Sequence, residues 1–189
     1  MGIKGTRTEE NLLKSFAGES QARNRYTFFA SAAKKEGLEK ISRIFEETAN
    51  QEKEHAKRFF SFLEGGDLCI EATFPAGKIG TTAENLKASA MGEHEEYTDL
   101  YPEFARIAEE EGFPVIAALW KHISNAEKHH GERFDELYKL LEVGFFKRDA
   151  SATWRCLNCG YIADGLEAPK SCPACAHPQA YFEELNKNW

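Results

Sequence analysis

Two Glu-x-x-His stretches, Glu52-Lys-Glu-His55 and Glu127-Lys-His-His130, each place an imidazole three residues after a carboxylate. Positions three apart share a helix face, so on a helix each stretch aims both groups the same way. Carboxylate oxygen with imidazole nitrogen suits iron, manganese or zinc. In four-helix bundles, two such helices combine with a Glu from each of the other two to make a dimetal site. A second constellation lies near the end of the chain, where twelve residues separate Cys156-x-x-Cys159 from Cys172-x-x-Cys175. Two such pairs make a tetrahedral four-sulfur site, and spacing alone leaves iron and zinc both open.

The elements that must position these groups are long helices. Helix 1 is expected over residues 8–36, ending before Gly37, with Leu12, Phe16, Glu19, Arg23, Tyr26 and Ala30 facing inward. Helix 2 is expected over 38–64, and its apolar stripe Ile41, Phe45, Thr48, Phe59, Phe62 is interrupted by Glu52 and His55. Residues 65–80 then form a connection long enough to cross a bundle, and Cys69 within it reads as a small buried hydrophobe. Helix 3 opens on the capping box Thr81-x-x-Glu84. Its stripe is Leu86, Ala90, Glu93, Tyr97, Leu100, Phe104 and Ile107, with a kink at Pro102. Glu96 shares the face of Glu93, and Tyr101 comes back near it. Helix 4 runs from Pro114 to about Val143, with Glu127 and His130 inside an apolar stripe that includes Trp120, Ile123 and Phe134. Tyr26, on the face of Glu19, has a hydroxyl suited to bonding a metal-bound carboxylate, or to simple core packing.

The halves echo each other. Glu19 to Glu93 is a shift of 74, and both Glu52 to Glu127 and His55 to His130 are shifts of 75. Helices 1 and 2 thus repeat as helices 3 and 4, and a pair of half-sites points to two metals. Glu96 has no partner, because the matching position is Ala22. Five carboxylates in an apolar interior are costly unless divalent ions neutralise them.

The expected fold is therefore mainly α, a ferritin-like four-helix bundle with one long crossover over residues 1–148. A small four-cysteine metal domain follows over 149–189, entered through a polar linker at 144–153, with an aromatic core of Trp154, Tyr161, Tyr181 and Phe182. A net charge of −7 argues against nucleic-acid binding, and no apolar run is long enough to span a membrane. No signal-peptide apolar region precedes Glu19, and the cysteine pattern is metal-like rather than a disulfide scaffold, so a cytoplasmic location is expected.

The runs Ala17-Gly-Glu-Ser-Gln-Ala-Arg-Asn-Arg-Tyr26, Glu52-Lys-Glu-His-Ala-Lys-Arg58, Gly92-Glu-His-Glu-Glu-Tyr97 and Glu127-Lys-His-His130, together with the cysteine tail, resemble rubrerythrins over nearly the whole chain. The resemblance implies a non-haem di-iron centre and a rubredoxin-like four-cysteine iron site on Cys156, Cys159, Cys172 and Cys175, with zinc as a substitute metal. It places the di-iron ligands on Glu19, Glu52, Glu93, Glu96, Glu127 and His130, with His55 able to replace Glu96 as the redox state changes. It further implies a peroxidase that reduces hydrogen peroxide in oxidative-stress defence. A redox protein or reductase would supply the electrons, ultimately from NADH, and Glu96, His55, Tyr26 and Tyr101 would serve the chemistry. Head-to-tail homodimers are also implied, with tetramers open. Ala176, where free rubredoxins carry Gly, is a departure.

Two rival functions share parts of this pattern. A ferritin-like ferroxidase or iron store needs the bundle but not an electron-transfer tail. A zinc-ribbon interaction module on a metal-buffering bundle needs no redox chemistry. A di-iron oxygenase would need a large apolar substrate pocket that the helices do not evidently leave.

Overall fold

The computed structural model describes residues 2–185. Helix α1 (Arg7–Lys35) and helix α2 (Glu39–Phe60) form one antiparallel hairpin. Helices α3 (Thr82–Glu95) and α4 (Tyr101–Glu110), joined by a π-helical turn at Glu96–Leu100, pair with α5 (Pro114–Val143) to form the other. Residues 61–81 cross between the hairpins without regular structure, giving the single long crossover of a ferritin-like bundle. Cys69 lies on the outside of this crossover and is exposed, not buried as expected, because the segment runs over the bundle surface.

Local chemistry sets the ends. Thr6 caps α1 by accepting from the Glu9 amide, and Thr81 with Glu84 forms the expected capping box of α3. The two hairpin turns are copies of each other. Gly37 (φ 76°) and Gly112 (φ 85°) both take the left-handed conformation that ends a helix. In each turn the next residue closes the 6→1 bond, Leu38 N to Ala33 O at 2.9 Å and Phe113 N to Ala108 O at 2.7 Å. The expected inward stripes hold with three corrections. Arg23 is exposed and Ala22 is buried in its place. Leu100 is 38% exposed and Tyr97 only half-buried, because the π-helical turn adds one residue and rotates the next position, Tyr101, inward instead.

That turn lies immediately before Pro102, where the kink is expected. The Tyr101 amide bonds to the Glu96 carbonyl five residues back. The next amide in this register would serve the Tyr97 carbonyl, but Pro102 has none. Ser124 Oγ on α5 donates to that carbonyl instead, at 3.3 Å.

The core is split in two. On one side of the bundle centre Tyr26, Phe45 and Phe134 pack together, with ring centroids 5.2–6.0 Å apart. On the other side Phe59 packs on Tyr101 and on Trp120, each at 5.7 Å. A shift of 75 maps Tyr26 on Tyr101, Phe45 on Trp120 and Phe59 on Phe134, so the two aromatic plugs are related by the repeat. Between them lies a polar layer.

The tail is a three-stranded antiparallel sheet, in the order β2 (Ile162–Glu167), β1 (Lys147–Cys156), β3 (Phe182–Glu184). The stretch expected to be a polar linker is thus largely strand, and β1 begins before the boundary placed at residue 148. Phe146 packs against both the bundle core and the tail core. Trp154 and Phe182 are fully buried in the tail, with Tyr161 and Tyr181 packed beside them. Lys40 on α2 reaches Glu183 on β3 at 2.6 Å, tying the tail to the turn end of the α1–α2 hairpin. No helix among the described residues is long and apolar enough to cross a membrane.

Candidate metal centres

Helices α1, α2, α3 and α5 deliver carboxylate or imidazole into the polar layer. Glu19 comes from α1, Glu52 and His55 from α2, Glu93 from α3, and Glu127 and His130 from α5. Glu19, Glu52, Glu93 and Glu127 are each at most 1% exposed. Their ligand atoms fall into two overlapping groups, each with all atoms within 4.8 Å of one another. One is Glu19, Glu52, His55 and Glu127, and the other is Glu52, Glu93, Glu127 and His130. Glu52 and Glu127 belong to both, the arrangement two bridged ions require.

The donor atoms fit such ions because nothing else satisfies them. Glu19 Oε2, Glu52 Oε1, Glu93 Oε2, both oxygens of Glu127 and Nδ1 of His130 are buried without a hydrogen bond among the described residues. Nδ1 of His130 lies 2.9 Å from Glu127 and 3.1 Å from Glu52 without being aligned for a bond to either. An apolar core does not tolerate so many orphaned acceptors at one point unless a cation collects them.

The protein's own charges fall short of that task. Burial, then the neighbouring carboxylates, push the pKa values of Glu19, Glu93 and Glu96 well up. Burial acts the same way on Glu52, but the adjacent His130 and His55 imidazoles outweigh it and hold that group down to about 2. Burial disfavours charge on the imidazoles, yet Glu127 and Glu52 raise His55 to about 10 and His130 to about 9.

Glu96 is not brought into either group. It begins the π-helical turn, half-buried, and lines a cavity of about 350 Å³ with Gly18, Arg25, Phe74, Gly92 and Tyr101. Residues 71–75 of the crossover roof this cavity. The tyrosines are placed crosswise. Tyr26 on α1 donates to Glu93 on α3, and Tyr101 on α4 donates to Glu19 at 2.5 Å. Burial and the adjacent carboxylates raise both phenols well above their usual range. One neighbour escaped sequence reasoning. Gln51 Oε1 lies 2.9 Å from Nε2 of His130, and a polar residue beside Glu52 on the outer edge of a helix carries no sequence signal of that contact.

The second centre is built from two matching loops. Gly160 N bonds to Cys156 O at 2.9 Å, and Ala176 N bonds to Cys172 O at 2.8 Å. The four sulfurs meet, with Cys156 Sγ 3.8 Å from Cys175 Sγ and Cys159 Sγ 3.6 Å from Cys172 Sγ. The His177 amide donates to Cys175 and draws its thiol down to about 6, favouring the thiolate that binds metal. Ala176 takes φ 59° where the matching Gly160 has φ 77°, so a left-handed backbone is kept without glycine. Tetrahedral four-sulfur geometry suits iron or zinc equally.

Comparison with known proteins agrees with both centres. A family model described as Rubrerythrin matches residues 10–138, and one described as Rubrerythrin, rubredoxin-like domain matches residues 154–183. The chain is 62% identical to a rubrerythrin of Porphyromonas gingivalis, over 99% of this chain and 94% of that one. It is 57% identical to a rubrerythrin of Nitratidesulfovibrio vulgaris, over 99% and 98% respectively. Among solved structures, nigerythrin in a fully reduced, all-ferrous state matches with a TM-score of 0.64 and 32% identity, over 97% of this chain and 92% of that one. Symerythrin from Cyanophora paradoxa, at 21% identity and a TM-score of 0.62, shares the fold. With a carboxylate–histidine site and a four-cysteine site both suited to iron, and family matches across bundle and tail alike, this chain belongs to the rubrerythrin family.

Proposed function

We propose that the protein is a cytoplasmic peroxidase that reduces hydrogen peroxide to water with two electrons and two protons. The observation that carries this reading is the convergence of orphaned buried donor atoms on two overlapping four-ligand groups, in a chain that also holds an electron-transfer-type cysteine site. Bound iron would supply the two electrons that cleave the O–O bond. The residues assigned to hold it are Glu19, Glu52, His55, Glu93, Glu127 and His130, with Glu96 as an alternate ligand in place of His55. Cys156, Cys159, Cys172 and Cys175 hold the third iron, and zinc is the substitute metal at either site.

The protein's residues control substrate and protons. The cavity beside Glu96 is large enough to admit a molecule the size of hydrogen peroxide. Burial and neighbouring carboxylates favour the neutral form of Glu96, and from the cavity wall it can deliver a proton to a leaving oxygen. Tyr26 and Tyr101 hold Glu93 and Glu19 in place and keep their own protons at hand.

The tail is attached at Lys40, twelve residues and roughly 18 Å along α2 from Glu52. That separation supports a head-to-tail homodimer in which one chain's cysteine site serves its partner's bundle. A redox protein or reductase, drawing ultimately on NADH, would recharge it. Stopped-flow oxidation of the fully reduced protein tests the reading. Peroxide should oxidise it far faster than dioxygen, and an equal or slower reaction with peroxide would sink the proposal. Cys159→Ser should leave that single oxidation intact and abolish steady turnover.

A further inference from the structure

The two imidazoles face the metal site alike but are held differently on their outer sides. His130 turns Nδ1 toward Glu52, Glu93 and Glu127. Its Nε2 lies 2.9 Å from Gln51 Oε1, and an oxygen there accepts the Nε2 proton. That fixes the tautomer, leaves the Nδ1 lone pair for metal and stops the ring from turning. His55 also turns Nδ1 inward, to Glu127 at 2.9 Å and Glu52 at 3.0 Å. Every close polar contact of its ring among the described residues runs through that nitrogen. Its side chain is 17% exposed, against 4% for His130.

The repeat explains the difference. The shift of 75 exchanges α2 with α5, so the bond from His130 to Gln51 has as its image a bond from His55 to residue 126. Residue 126 is Ala126, half-buried on α5, and its methyl group accepts nothing. We propose that Gln51 is a positioning residue that locks His130 as a permanent ligand, and that Ala126 leaves His55 free to turn out of the site. The Gln51/Ala126 asymmetry then decides which histidine is exchangeable. Releasing His130 breaks a metal bond and a hydrogen bond, whereas releasing His55 breaks the metal bond alone. A hydrogen bond of ordinary net strength separates the two by about fivefold.

This inference deepens the metal-centre reading and rests on both imidazoles binding through Nδ1, but not on the identity of the oxidant. The test uses the full-length protein loaded with zinc, which is diamagnetic, and labelled with nitrogen-15 in histidine. Long-range proton–nitrogen correlation identifies metal-bound Nδ1 atoms, and water-exchange rates report on each Nε2 proton. In the unaltered protein the His130 proton should exchange about fivefold more slowly than that of His55. Gln51→Leu, which keeps the ring covered, should bring His130 to the His55 rate. Gln51→Glu, which still accepts, should preserve protection. Ala126→Gln should slow exchange at His55. Equal exchange with both Nδ1 atoms on zinc, or a Gln51→Leu variant that leaves His130 protected, would overturn this inference alone. Absence of metal-bound Nδ1 signals would overturn both it and the metal-centre reading.

Discussion

Tyr101 on α4 donates its hydroxyl to Glu19 on α1 at 2.5 Å, and the bond is fully buried. Its image under the repeat is the bond from Tyr26 to Glu93. Each half of the chain therefore fixes a carboxylate of the other half, and neither half-site is complete without its opposite. Removing one hydroxyl strands a buried acceptor, which costs about 1–3 kcal/mol. Tyr101→Phe should lower stability by that amount in urea unfolding and slow peroxide reduction. Unchanged stability would mean that the oxygen finds another partner.

The repeat also shows how far the sequence could be read. The helices, the six inward carboxylates and imidazoles of the two groups, the crossover and the four cysteines follow from spacing, because helix periodicity and metal chemistry are local rules. The π-helical turn, which helix periodicity passes over, leaves a trace in the repeat. The shift between halves is 74 at Glu19 and Glu93 but 75 at Tyr26 and Tyr101, so one extra residue must lie between Glu93 and Tyr101. A strictly 3.6-residue reading puts Leu100 inward, whereas the inserted residue hands that place to Tyr101. The position of Glu96 and the contact of Gln51 with His130 were not legible. Both depend on how separate helices meet, which no spacing within one helix encodes.

Metal uptake should release protons and strengthen with pH. Glu127 and Glu52 raise His55 to about 10 and His130 to about 9, so both rings carry two protons near neutrality and must lose one to bind through Nδ1. The same shifts stabilise the metal-free fold. Because these pKa values are raised, that stability is fully present below the ordinary histidine value of 6.5 and is lost as pH rises through about 9 to 10. Glu52 acts in the opposite range, since its stabilisation is present above 4.5 and is lost as pH falls toward about 2. Thermal melts of the metal-free protein should therefore fall between neutrality and pH 10, while the increment on adding zinc grows. A zinc increment that is flat over this range would contradict the assignment.

In the cysteine domain, Ala176 keeps a left-handed backbone at φ 59°. A side chain there costs about 1–2 kcal/mol relative to glycine. Ala176→Gly should raise the thermal stability of the tail and slow metal loss to a chelator. The converse change, Gly160→Ala at φ 77°, should weaken the tail by a similar amount. If both changes were neutral, the metal rather than the backbone would govern these loops.

Gly131, next to His130, lies where α5 packs tightly on α3. A Cβ placed there would stand 3.2 Å from Glu93 Cβ and 3.5 Å from the His94 ring. In an isolated helix, replacing this glycine by alanine would gain about 1 kcal/mol. Here the contact opposes that gain, since Glu93 is held from the far side by Tyr26 and cannot retreat freely. Gly131→Val adds branching on top of the clash and should destabilise the protein by about 1–3 kcal/mol. The damage should be lopsided, because α3 supplies Glu93 to the His130 group and no ligand to the His55 group. Zinc titration should show one of two sites weakened and the other nearly unchanged. Equal weakening of both would mean that the bundle opens as a whole when α3 and α5 are pushed apart.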